Sequence, residues 1–241
     1  MLRATDFEFR NRFWLIGLGY LLAFSAYRYD PLNVVEFLVD RFIGSGSPHE
    51  GLWFHLFFAF AAFLVFLAAA LRTWAAAYLQ SDVVHDESLH AEKLVADGPY
   101  RHLRNPLYVG GILLSIGFGF IASRTGFFIL VFGLTYFFLR LIGLEESRLA
   151  ASQGESYREY CRLVPKLWPS WSPRVPSSGM APQWRQAFIG EIFLWGFFVG
   201  MAAFAVTLKL HVIWIITAVA LALYIFRSFS LFGKKRCGQP S

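Results

Sequence analysis

Residues 107–144 read LYVGGILLSIGFGFIASRTGFFILVFGLTYFFLRLIGL, two apolar runs separated by a short polar turn. The runs, Leu107–Ala122 and Gly126–Leu144, approach the roughly 20 residues with which a helix crosses a bilayer. If both cross the membrane as a hairpin, the polar residues before the first run and after the second return to the same membrane face. The hairpin therefore predicts a polar site at one surface of a helical membrane protein.

The composition of the whole chain also favours a membrane protein. Of 241 residues, 56% are hydrophobic and 16% are charged, against about 25% charged residues in ordinary soluble domains. The mean hydropathy is +0.49. We expect an all-α fold, a polytopic membrane bundle of about six transmembrane helices with cytoplasmic helical extensions and no Rossmann domain. The six predicted spans are Phe13–Tyr27, Leu52–Leu71, Leu107–Ala122, Gly126–Leu144, Ile192–Leu208 and Val212–Phe226.

The distribution of positive charge predicts the orientation of the bundle. Most of the 22 lysines and arginines lie in the two terminal segments and in the loops Arg72–Pro106 and Glu145–Ala187. Cytoplasmic loops of membrane proteins carry such an excess, so both termini and both long loops are expected in the cytoplasm. The same rule accounts for the net charge of +6 without a nucleic-acid partner.

The segments outside the spans divide the chain into three parts. Pro31–Ile43 is amphipathic and predicts an interfacial helix, whereas five prolines exclude a long helix over residues 165–182. Glu145–Val164 is polar and helix-compatible, which predicts a cytoplasmic extension of the fourth helix. The expected parts are residues 1–50 with the first span, residues 51–170 with three spans and the polar loops, and residues 171–241 with two C-terminal spans.

The first polar cluster, residues 98–108, reads GPYRHLRNPLY. Gly98-Pro99 and Asn105-Pro106 are turn and stop signals, so a short segment between them is pinned beside the membrane. Arg104 precedes a helix start, whose free N–H groups also attract anions. The alternative interpretation is that the cluster holds ordinary loop cations and interfacial aromatic residues, and the spacing alone does not separate the two.

The second polar cluster is Glu145-Glu146, directly after the fourth span. Neighbours on a helix point about 100° apart, so one glutamate can face a pocket while the other pairs with Arg140 or Arg148. A carboxylate at the membrane edge can bind an ammonium or a sulfonium group, or act as a base. The alternative is a solvated helix segment with a local Glu145–Arg148 pair.

Other polar residues give weaker indications. Arg72 is expected to be a cation that reaches from the end of the second span into the headgroup layer, and Glu191 is expected to pair with Arg185 or with a group near Lys209. The patch from His85 to Glu92 lacks the ligand spacing of a metal site, so no metal is predicted. The sequence also has no GxGxxG, Walker or GxSxG motif, so a cofactor would be held by membrane helices and their extensions.

Residues 94–110, LVADGPYRHLRNPLYVG, resemble the signature of integral-membrane methyltransferases, a group that includes isoprenylcysteine carboxyl methyltransferases and phospholipid methyltransferase-like proteins. The glutamate pair, residues 154–161 (GESYREYC) and residues 164–169 (VPKLWP) match in the same order. Residues 71–75 (LRTWA) are similar to a helix end often seen before the signature. The resemblance covers about residues 71–169 and makes residues 51–170 a methyltransferase-like core. Many relatives have His where this chain has Asn105, which hydrogen-bonds but does not titrate.

The resemblance implies S-adenosylmethionine-dependent methyl transfer to a lipid or lipid-attached acceptor at the cytoplasmic membrane face. The acceptor would be isoprenylcysteine carboxylate-like or phospholipid amine-like, on a lipid or on a prenylated small molecule or peptide. It also implies catalytic roles for Arg104, Glu145 and Glu146. The implied cofactor-binding residues are Val95, Gly98, Tyr100, Arg104, Asn105, Pro106, Tyr108, Glu145 and Glu146.

Two other functions remain open at this point. The NADPH-binding membrane sterol reductases share a similar signature and a similar Tyr-x-x-Tyr-Cys-x-x-Val-Pro run, but they usually have more spans. The other possibility is a non-catalytic membrane protein of the same fold. Asn105 favours that possibility, and the intact Glu145-Glu146 pair argues against it.

Overall fold

The structure is a computed structural model that describes residues 2–44, 46–79, 96–220 and 222. These residues form helices joined by loops and contain no β-strand, which confirms the all-α prediction for the described part. The helices are α1 (Asp6–Arg10), α2 (Arg12–Ser25), α3 (Val34–Phe42), α4 (Glu50–Tyr78), α5 (Pro106–Gly119), α6 (Arg124–Gln153), α7 (Glu155–Leu163), α8 (Trp184–Gly190), α9 (Ile192–Thr207) and α10 (Leu210–Ala220). Short 3₁₀ turns occupy Ala26–Arg28 and Gly98–Arg101.

Two of these helices are long and apolar enough to cross a membrane. They are α4, with 29 residues, and α6, with 30 residues including a π-helical stretch at Ile129–Leu134. The pair α8–α9 makes a third candidate if it counts as one span, bent by 61° at Glu191. Because α2 and α5 have only 14 residues each, the number of six spans stays a prediction.

Local sequence signals explain where several helices begin. The Asn33 side chain accepts hydrogen bonds from the backbone N–H groups of Val35 and Glu36, so it caps α3. This helix lies within the predicted interfacial segment and buries Val34, Val35 and Val39. Pro106 occupies the first turn of α5, where its missing N–H group costs nothing. The proline-rich residues 165–182 form no helix, as predicted.

The predicted extension over Glu145–Val164 is wrong as one continuous helix. Residues 145–153 do continue α6, but the helix ends at Gly154, whose φ of +62° favours glycine. The chain then restarts as α7, which turns Tyr157 and Tyr160 inward. The break is what brings the aromatic side chains of α7 towards the polar loops.

The centre of α4 packs between α5 and α9. A Cβ on Gly117 of α5 would lie 3.0 Å from the carbonyl oxygen of Ala61, so these two helices approach closely. On the other side, the Phe58 and Phe204 rings of α4 and α9 lie 4.6 Å apart. The His85–Glu92 patch, Val95, Cys237 and the end of the last predicted span lie outside the described residues.

Candidate functional site

The signature loop, residues 96–105, is fixed to the end of α4. Gly98 has a φ of +57°, and a Cβ there would overlap the Tyr78 ring, so only glycine fits this approach. The Trp74 and His102 rings lie 5.9 Å apart, centroid to centroid. The loop is therefore pinned before it enters α5, as the turn signals predict.

A proline-rich strap, residues 165–183, runs back along this loop. The backbone N–H of Arg104 donates to the carbonyl of Pro165 at 2.9 Å, and the N–H of Ser170 donates to the carbonyl of His102 at 3.0 Å. Farther along, the N–H of Arg174 donates to the carbonyl of Arg101 at 2.8 Å. These three contacts join backbone to backbone, so they hold the strap along the loop.

Asp97 anchors the far end of the strap. The residue is 1% exposed, and its carboxylate accepts hydrogen bonds from the Ser177 hydroxyl at 2.6 Å, the Ser178 N–H at 3.0 Å and the Met180 N–H at 3.2 Å. The Ser178 hydroxyl is a further donor. Burial acts to raise the pKa of Asp97, but these hydrogen bonds outweigh it and lower the pKa to about 2. Asp97 is therefore charged when it holds the strap.

Glu146 lies at the centre of a charged cluster between the loop, α6 and the strap. Its carboxylate is 3.5 Å from Nη1 of Arg104 and 3.3 Å from Nζ of Lys166. The Asn105 amide donates to it at 3.1 Å. Since Glu146 is only 7% exposed, the two cations and the amide offset the cost of burying its charge. The hairpin thus brings Arg104, Asn105 and Glu146 together at one end of the bundle.

One hydrogen-bond donor of the Arg104 side chain is not used within the described part of the protein. Its Nε is buried and has no hydrogen-bond partner among the described residues. Tyr157 and Tyr160 lie near the guanidinium, and burial raises the pKa of both phenols although the charge of Arg104 opposes this. Both hydroxyls therefore stay protonated, and that of Tyr160 donates to the Tyr100 carbonyl at 2.7 Å. A free N–H of a buried cation among aromatic rings suits an anionic ligand.

Glu145 points to different neighbours from those of Glu146. Its carboxyl lies beside the Tyr108 hydroxyl, with the charges of Arg12 and Arg148 nearby. Among the described residues, no lysine or arginine forms an ion pair with Glu145. The two adjacent glutamates therefore differ: Glu146 is paired with cations inside the protein, and Glu145 has no ion-pair partner among the described residues.

The partners predicted for the glutamates are wrong. Arg140 binds Glu8 through two nitrogens, at 2.6 and 2.8 Å, and Arg148 binds Asp6 at 2.7 Å. Helix α1 supplies both acids, so the N-terminal residues pack beside the site end of α6. No spacing signal connects these positions, which are more than 130 residues apart in the chain.

The prediction for Arg72 and Glu191 is also wrong. Arg72 is not a lone headgroup cation, because its Nε and Nη2 bind the Glu191 carboxylate at 3.1 and 3.0 Å. Sequence reasoning also missed the roles of Asp97 and Lys166. Both residues lie inside the stretches that carry the family resemblance, and this position was the sequence signal that could have identified them. Val95 cannot be located, since it lies outside the described residues.

Comparison with known proteins finds a family match over part of the chain. The family model of the phospholipid methyltransferases matches residues 56–155, which include the signature loop and both glutamates. The predicted family resemblance is confirmed. The strap and α8–α10 lie outside the matched segment.

One curated relative is the cobalt-zinc-cadmium resistance protein CzcN of Cupriavidus metallidurans. It is 29% identical over 143 residues, which are 58% of this chain and 62% of that protein. The chain therefore spans about three fifths of the length of that relative. No solved structure matches the chain.

Proposed function

We propose that this protein transfers a methyl group from S-adenosylmethionine to a lipid or lipid-attached acceptor at the cytoplasmic membrane face. The observation that carries the proposal is the arrangement of Arg104 and Glu145 within the family-matched segment. Arg104 has a buried Nε without a partner among the described residues, and Glu145 has no ion-pair partner there. A cofactor with both a carboxylate and cationic groups needs these two complementary charges.

The proposal includes six spans, with both termini in the cytoplasm. The excess of lysine and arginine in alternate segments supports this orientation, and the length of α4 and α6 supports two of the crossings. Residues 51–170 would form the methyltransferase core. Residues 1–50 would flank it with one span and an interfacial helix, and residues 171–241 with two spans.

The residues of the site take distinct roles in this proposal. When bound, S-adenosylmethionine supplies an electrophilic methyl group attached to a sulfonium. Arg104 would donate to the cofactor carboxylate, and Glu145 would balance its positive charge. Tyr100 and Tyr108 would pack against its cationic and ring groups. The remaining proposed cofactor-binding residues, which shape the loop or hold Arg104 in place, are Val95, Gly98, Asn105, Pro106 and Glu146.

The chain would accelerate transfer chiefly by alignment and by excluding water. Methyl transfer is an in-line displacement, so Arg104 and Glu145 would have to hold the cofactor in line with the acceptor. A carboxylate acceptor loses no proton. An amine acceptor must lose one, and Glu145 would receive it in this proposal. The strap would keep water from the loop side.

Calorimetric titration of the purified, detergent-solubilised protein tests the proposal. We expect S-adenosylmethionine and its demethylated product to bind, and NADPH not to bind. Arg104→Ala should weaken cofactor binding roughly tenfold or more, since it removes a charge-assisted hydrogen bond. Arg124→Ala, at the start of α6 and beyond the far end of α5, is the matched control and should leave affinity unchanged. Unchanged affinity in Arg104→Ala would contradict the site, and binding of NADPH alone would favour a reductase.

A second candidate is a role in metal resistance without methyl transfer. It is favoured by the name of the relative CzcN and by Asn105 at a position where the resembling methyltransferases often have His. Failure of all three ligands to bind in the same titration would support this candidate.

A further inference from the structure

A partly buried ion pair joins the C-terminal helices to α4. Glu191 stands at the bend between α8 and α9, and 8% of it is exposed. Both of its oxygens accept from Arg72 of α4, at 3.0 and 3.1 Å. A bidentate pair fixes orientation as well as distance. The guanidinium plane of Arg72 is therefore set by a residue outside the family-matched segment.

Arg72 in turn holds the beginning of α5. Its Nη1 donates to the carbonyl of Leu107 at 3.3 Å. Leu107 stands between Asn105 and Tyr108, which contact Glu146 and Glu145. A Cβ on Gly110 would overlap the Arg72 side chain, so this glycine lets the arginine lie flat against α5. Arg72 thus connects the bend at Glu191 with the first turn of α5.

A second contact between α4 and α9 keeps these two helices in register. The indole N–H of Trp195 donates to the hydroxyl of Thr73 at 3.0 Å, and Thr73 is buried. Trp195 is four residues after Glu191, the residue directly before α9, and both side chains bind residues of α4. With α9 anchored in this way, the Glu191 carboxylate is held at a fixed place relative to Arg72.

We propose that Glu191 is a positioning residue of the methyl-transfer site, acting through Arg72 on the first turn of α5. The C-terminal helices then take part in cofactor binding without contacting the cofactor. The inference rests on the proposed function. Loss of the Glu191 charge leaves the Arg72 guanidinium free to turn away from Leu107, and the positions of Asn105 and Tyr108 loosen with it.

Titration with S-adenosylmethionine in variants of Glu191 tests the inference. We expect Glu191→Gln to weaken binding roughly tenfold and Glu191→Asp, which keeps the charge, to restore most of the affinity. Gly110→Ala should also weaken binding, because it displaces Arg72 without changing any charge. Rescue by aspartate separates positioning from a general loss of stability.

A second ion pair provides the matched control. Asp30 binds Arg124 through two nitrogens, at 2.9 and 3.1 Å, beyond the far end of α5, which is about 21 Å long. Asp30→Asn should lower the melting temperature and leave cofactor affinity unchanged. Two results would overturn this inference alone. One is equal weakening of cofactor binding in Asp30→Asn and Glu191→Gln. The other is wild-type affinity in Glu191→Gln while Arg104→Ala has lost binding. Absence of binding in the wild-type protein would overturn the proposed function, and this inference with it.

Discussion

At the scale of single residues, two adjacent glutamates have opposite surroundings. Glu146 faces Arg104, Lys166 and the Asn105 amide, so its charge is needed to keep two cations together. Glu145 lies beside Tyr108 and has no ion-pair partner in the described chain. Their substitution by glutamine therefore separates the charge that is paired inside the protein from the one that is proposed to bind the cofactor.

We expect Glu146→Gln to lower the melting temperature by several degrees, because removing one partner of a buried pair costs on the order of 3 kcal/mol. Glu145→Gln should leave the melting temperature nearly unchanged and weaken S-adenosylmethionine binding several-fold. Thermal unfolding and calorimetric titration of both variants check this. If the melting temperature fell in Glu145→Gln and not in Glu146→Gln, the assignment of the two charges would be reversed.

At the scale of elements, the strap depends on the charge of Asp97. Hydrogen bonds hold the pKa of this carboxyl at about 2 in the folded protein, below the value of about 3.9 in an unfolded chain. A depressed folded-state pKa contributes stability above the unfolded value, and that contribution is lost as the pH falls from about 4 to about 2. The strap is therefore expected to be acid-sensitive and insensitive to pH near neutrality.

Asp97→Asn should lower the melting temperature at pH 6, since the amide accepts fewer hydrogen bonds than the carboxylate. The difference from the wild-type protein should shrink as the pH falls from about 4 to about 2, where the wild-type protein loses the same charge. Thermal unfolding across this range measures it. Asp40→Asn, at an exposed position of α3, is the control. A difference that stays constant down to pH 2 would contradict the role of Asp97.

At the scale of the whole molecule, local signals were predictable and distant contacts were not. Neighbouring residues alone determine the apolar runs, the helix start at Pro106 and the proline-rich strap, and the structure agrees with these predictions. The hairpin also predicted that Arg104 and the glutamates share one end. The Arg72–Glu191 pair joins residues 119 positions apart, and a single sequence offers many possible partners for each charge.

The span count depends on α5. Arg104 lies before α5, and Glu146 lies in the last third of α6, yet their side chains are 3.5 Å apart. The two helices therefore run antiparallel, which supports a crossing by α5 alongside α6. Its 14 residues cover about 21 Å, less than the roughly 30 Å of hydrocarbon. The short loop before Arg124 would then lie below the headgroup level, or the bilayer would thin locally.

Cysteine labelling decides whether α4, α5 and α6 make three crossings. In a Cys161→Ser/Cys237→Ser background, we expect His49→Cys to react with a membrane-impermeant maleimide in intact cells. Ala151→Cys should react only after permeabilisation, because three crossings put residues 49 and 151 on opposite sides and the proposed orientation puts the cation-rich side in the cytoplasm. Both positions are exposed in the structure, so lack of access within the protein does not confuse the result. Labelling of both cysteines from the same side would mean an even number of crossings and would remove α5 from the spans.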